Sequence, residues 1–148
     1  MNNLLYLINA LKVIDLSYDE KQLKLLLKNL KDRDGWVRSE AASRLGEIKA
    51  KEAVEELVKL LQDDRDSLVR SHAAAALGDL GDEAKEAVES LVETLKKDQI
   101  VGVRLEAAVA LGNIGSDEAI PGLTKIAMED KDIRVRSWAA DAIRKIRT

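Results

Sequence analysis

The chain has 148 residues, no cysteine, one histidine and a formal net charge of -3, and Lys, Arg, Asp and Glu make up 34% of it. That length suits one domain with a continuous core, and the missing thiols exclude disulfides and cysteine metal sites and suggest a reducing cytoplasm. A mixed, slightly acidic charge is a poor global match for nucleic acid.

The opening stretch MNNLLYLINALKVI is apolar but has neither a basic leader nor a small-residue cleavage site. It therefore predicts a core helix over residues 2 to 14, not a signal peptide or a membrane span. A second stripe, Leu23, Leu26, Leu27 and Leu30, predicts its partner helix. From residue 36 the chain repeats itself: WVRSEAASRLGEI (36 to 48), LVRSHAAAALGDL (68 to 80), VGVRLEAAVALGNI (101 to 114) and RVRSWAADAIRKI (134 to 146) carry Arg38, Arg70, Arg104 and Arg136 at separations of 32, 34 and 32 residues. A period of this size marks a helical repeat array. In the first phrase Val37, Ala41, Ala42, Leu45 and Ile48 fall at steps of three and four, defining a helix A. Helix B follows at Val54, Leu57, Val58 and Leu61, then at Val88, Leu91, Val92 and Leu95, then at Ile120, Leu123, Thr124 and Ala127. Gly81 and Gly115, just past helix A, suit a left-handed C-terminal cap. The units are 32–63, 64–97 and 98–129, preceded by a degenerate pair in 1–31, where Leu7 replaces the arginine, and followed by a half repeat, 130–148. All belong to one domain over 1–148.

Asp lies six residues before every repeat arginine (Asp32, Asp64, Asp98, Asp130) and four before three of them (Asp34, Asp66, Asp132). Asp in the turn entering helix A can cap it and pair with an arginine in its first turn. The expected structural pairs are Asp34 with Arg38, Asp66 with Arg70 and Asp132 with Arg136; Arg104, with Ile100 at the nearer position, should find Asp98 or another acceptor. Gly46, Gly78 and Gly112 stand inside helix A beside Ala-Ala pairs, although glycine there costs about 1 kcal/mol relative to alanine. Close helix contact is the expected reason.

The composite phrase DxxVRxxAAxALGxIGDxxAVxxLxxxL resembles the HEAT-like repeat of the phycobilin lyase type over residues 19 to 146. The resemblance implies an all-α, right-handed superhelical solenoid of about four helix pairs plus one final helix. It also implies a family holding chromophore lyase subunits, a di-iron hydroxylase and many scaffold proteins. The hydroxylase repeats carry His-Glu just after the helix A arginine. Here those dipeptides are Ser39-Glu40, Ser71-His72, Leu105-Glu106 and Ser137-Trp138, so no catalytic, cofactor-binding or metal-ligating residue is expected. His72 should be an ordinary surface or inter-repeat side chain.

Trp36, in a turn between helices, could cover that turn or anchor a ligand, and closing a core edge is the expected role of an isolated large aromatic. Trp138 holds the position of Glu40, His72 and Glu106 on the last helix, so Ile133, Val135, Trp138, Ala142 and Ile146 make either a capped end or a patch for self-association. Binding by such solenoids commonly uses the inner face that the B helices line. There Glu52, Glu55, Glu86, Glu89 and Glu93 form an acidic ladder, whereas from residue 130 onward six basic side chains face three acidic ones. The sequence thus points to a non-enzymatic, cytoplasmic interaction module taking a protein or basic peptide segment, with no membrane contact. The bland reading of the same charges is a solvated helix surface. Nucleic-acid binding is the alternative, and by resemblance alone a lyase or chromophore-handling subunit.

Overall fold

The structure is a computed structural model that describes the backbone of residues 2–148 and the side chains of residues 3–10 and 20–148. Its helices are α1 (Asn2–Asn29), α2 (Gly35–Glu47), α3 (Val54–Asp63), α4 (Ser67–Leu80), α5 (Val88–Lys97), α6 (Val101–Ile114), α7 (Ile120–Glu129) and α8 (Ile133–Arg147). Short 3-10 turns at Lys51–Ala53, Gly81–Ala87 and Asp117–Ala119 lead into α3, α5 and α7. No strand occurs among the described residues, and the architecture is an all-α solenoid.

The A helices α2, α4, α6 and α8 stack directly on one another, and each B helix packs against the A helix that follows it. The working units are therefore four hairpins: α1 with α2, α3 with α4, α5 with α6 and α7 with α8. Leucines fill the seam, with Leu45, Leu57, Leu61, Leu77, Leu91, Leu95, Leu111 and Leu123 fully buried. The A-to-A contact explains the helical glycines. A Cβ on Gly46, Gly78 or Gly112 would lie 2.9, 2.8 or 3.1 Å from the Cα of Ala76, Ala110 or Ala142 on the next A helix. Close packing along the whole stack offsets the helix penalty of glycine.

Residues 2 to 31 depart from the sequence reading. Two helices are expected there, yet the backbone forms a single helix of 28 residues. The A-to-B turns elsewhere pass through a positive φ, +56° at Gly81 and +75° at Gly115, and +56° at Lys49. No glycine or proline lies between Asn2 and Lys31, so nothing interrupts the helix at that point. Leu26 and Leu30, near its C-terminal end, are buried in the core, whereas Leu4, Leu5, Tyr6 and Leu7 are more than half exposed.

Candidate interaction surfaces

Each turn from a B helix into the next A helix is organised by aspartates. Asp34, Asp66 and Asp132 accept the backbone N–H of Trp36, Leu68 and Arg134 at 2.8, 2.9 and 2.8 Å, capping α2, α4 and α8. Ile100 makes no such bond, so α6 begins without a side-chain cap. Two residues before these positions, Asp32, Asp64, Asp98 and Asp130 accept the N–H of Asp34, Asp66, Ile100 and Asp132 at 2.9, 2.9, 3.0 and 2.9 Å. That bond fixes the direction of each carboxylate.

The arginines pair across units, not within them as the spacing suggests. Nε and Nη2 of Arg38 donate to Asp64 at 2.8 and 3.0 Å. Arg70 does the same to Asp98 at 2.8 and 3.2 Å, and Arg104 to Asp130 at 3.0 and 3.2 Å. The third guanidinium nitrogen, Nη1, turns back to its own unit and donates to the carbonyl of Asp32, Asp64, Asp98 or Asp130 at 2.8, 2.9, 2.8 or 2.6 Å for Arg38, Arg70, Arg104 and Arg136. Asp34 and Asp66 are already committed to helix N–H groups, and Asp132 binds Arg134 at 2.8 Å. The carboxylate within reach along the stack is the one fixed in the next turn. These forked pairs are nearly dry: side chains of Arg104 and Asp130 are 3% and 6% exposed. Burial pushes the Asp64 carboxyl up, but the Arg38 hydrogen bond, the Asp66 N–H and the Arg38 charge outweigh it and hold the group below the usual carboxylate range.

On the B-helix face Glu52, Glu55, Glu86, Glu89 and Glu93 are all exposed. Glu55 lies 3.3 Å from Lys59, and Glu93 lies 2.7 Å from Lys97, whose hydrogen bond and charge lower the Glu93 carboxyl. Glu52, Glu86 and Glu89 have no ion-pair partner among the described residues. The B helices meet less closely than the A helices, and a groove of about 630 Å³ opens between α3 and α5, with Gln62, Ser90, Glu93 and Lys97 on its walls. Gln62 donates to the Ser90 hydroxyl across it at 3.0 Å. A second groove, about 500 Å³, lies between α5 and α7 with Lys96, Lys125, Lys131 and Glu129 along it. Neither groove is visible in the sequence, because each depends on helix spacing.

His72 is half-buried between units, its Nδ1 enclosed without a hydrogen-bond partner. Glu106, on the next A helix, has its carboxyl pushed up by burial, opposed by the nearby His72 and reinforced by Asp79. Among the described residues no three His, Cys, Asp or Glu side chains are grouped to hold a metal, and no helix is long and apolar enough to cross a membrane. Trp36 is 65% exposed and stands outside the core cluster instead of closing it. On α8, Val135 and Ala142 are buried, whereas Ile133 and Trp138 are 69% and 48% exposed.

A stack of two-helix units tied by a repeated Arg-Asp pair defines an α-helical repeat protein. The model of the HEAT repeats matches residues 23–101 and 88–148, and the chain belongs to that family. Among solved structures it is similar to the complex of CpcE and CpcF of phycocyanin lyase from Nostoc sp. PCC7120, with a TM-score of 0.71 and 21% identity over 84% of this chain and 85% of that chain. The likeness to HEAT-like repeats of the phycobilin lyase type therefore extends to the fold. No curated protein matches in sequence.

Proposed function

We propose that residues 1–148 form one non-enzymatic HEAT-like interaction domain that takes a basic peptide or protein segment along its B-helix face. The carrying observation is that Glu52 and Glu86, in the turns leading into α3 and α5, and Glu89, in the first turn of α5, are exposed and have no ion-pair partner among the described residues. Carboxylates on adjacent helices of one face add their fields toward a ligand. A single histidine and no cysteine supply little for catalysis, and a chain without thiols suits the cytoplasm.

Titration of a fluorescent lysine-rich peptide tests this reading. Binding should be measurable at low salt and weaken toward physiological strength, where the Debye length falls to about 8 Å. The triple variant Glu52→Lys, Glu86→Lys, Glu89→Lys should weaken it by about tenfold while circular dichroism stays unchanged, since exposed substitutions shift stability by only about 0.5 kcal/mol. Duplex DNA binding more tightly than the peptide, or a variant binding as well as the parent, would overturn the assignment. The fold shared with the phycocyanin lyase complex favours a second reading, a chromophore-handling subunit. A change in the visible spectrum of phycocyanin on mixing with the purified chain would replace the first reading by this one.

A further inference from the structure

Two contacts recur in register from each hairpin to the next: an arginine takes the following turn's aspartate, and a helical glycine receives an alanine. On the B side Gln62 meets Ser90 between α3 and α5. At the α7–α8 face and at the α1–α2 face the ion pair is half-made. Arg136 makes only its backbone bond to Asp130, with no carboxylate at Nε or Nη2 among the described residues. At the α1–α2 face the Asp32 carboxylate is fixed by the Asp34 N–H just as Asp64 is fixed by Asp66, with no arginine upon it among the described residues. Met128 and Leu25 hold the positions of Gln62 and Ser90 in their helices and are 76% and 57% exposed. Stacking the α7–α8 end of one copy on the α1–α2 end of another would complete both pairs.

The glycine–alanine contact forbids it. Gly46, Gly78 and Gly112 each lie eight residues after their arginine, and in α8 that position is Arg144. Ala76, Ala110 and Ala142 each lie six after theirs, and in α2 that position is Arg44. We propose that Arg44 and Arg144 keep the α1–α2 face and the α7–α8 face, which otherwise fit one another, from stacking between two copies of this chain. Inside the array even a Cβ at the glycine position comes within 2.8 to 3.1 Å of the facing backbone, so two arginine side chains there hold the helices apart. They also bring like charges together. Arg44 is tied to Glu40 at 3.3 Å and Arg144 to Asp141 on their own helices, which leaves each with a partner when the end is bare. This inference is independent of what the B-helix face binds.

Two single variants of the full chain test it in sedimentation equilibrium. Arg144→Gly restores only the α8 end and Arg44→Ala only the α2 end, so each alone, like the parent, should sediment at the single-chain mass of 16.3 kDa. Mixed in equal amounts they should form a one-to-one complex. The double variant should grow open-ended, concentration-dependent oligomers, as a head-to-tail contact that does not close must. Adding Arg136→Ala to the Arg144→Gly chain should abolish the mixed complex. Circular dichroism confirms that each chain is folded. Folded variants that remain single chains when mixed, a complex indifferent to Arg136→Ala, or a parent protein that already self-associates through α8 would each overturn the proposal.

Discussion

At the level of single residues, the arginine ladder holds buried charge in place, and its members are unequal. Arg104 and Asp130 are nearly dry, so Arg104→Ala strands a buried carboxylate and should cost about 3 kcal/mol in urea unfolding. Arg136→Ala loses one bond to a carbonyl and should cost about 1 kcal/mol; equal losses would show that the forked pair contributes nothing. The Asp64 carboxyl is held low in the folded chain. Its contribution is complete above the usual aspartate pKa of about 3.9 and is lost as pH falls through the lower folded value. Stability should therefore decline below about pH 4, and Asp64→Asn should be weaker at pH 7 but decline less on acidification. The residues of the ladder were legible in the sequence, but their pairing was not. Offsets of four and six stand out along the chain, whereas the true partner of Arg38 lies 26 residues on, a distance that only the stack makes short.

Among the helices, the same contrast appears in the glycines. Gly78→Ala puts a Cβ 2.8 Å from the Ala110 Cα, forcing α4 from α6, and should destabilise by about 1 to 3 kcal/mol despite alanine's better helix propensity. Gly102 in α6 meets nothing within 4 Å, so Gly102→Ala should stabilise by about 0.5 kcal/mol. Thermal melts of the two variants should move in opposite directions. The close approach at Gly46, Gly78 and Gly112 was readable because glycine inside a helix needs a reason. The fate of α1 was not. A period-based alignment supplies two helices by analogy with later units, but continuity depends on a turn-forming residue that this segment lacks. Lys49 shows the converse, since it adopts a positive φ without being glycine. Lys49→Gly relieves that strain but gives up the Lys49 bond to the Asp79 carbonyl.

For the molecule as a whole, the fold was legible because a repeat states its own architecture several times over, so errors in one unit are corrected by the others. The binding surface was not, because exposed glutamates on a helix look the same whether they solvate or recruit. Of the five on the B-helix face, only Glu93 lines a groove between neighbouring helices. The ladder has one further consequence, for how such a chain can change length in evolution. The guanidiniums of Arg38, Arg70 and Arg104 each address a carboxylate presented by the next equivalent turn, so interior units are interchangeable parts. Excising residues 64–97 would bring Asp98 to Arg38 and Ala110 to Gly46, leaving no unmatched arginine within the shortened array. Gene duplication or loss of one whole unit therefore asks for no compensating substitution, and natural length variants should differ by multiples of the unit.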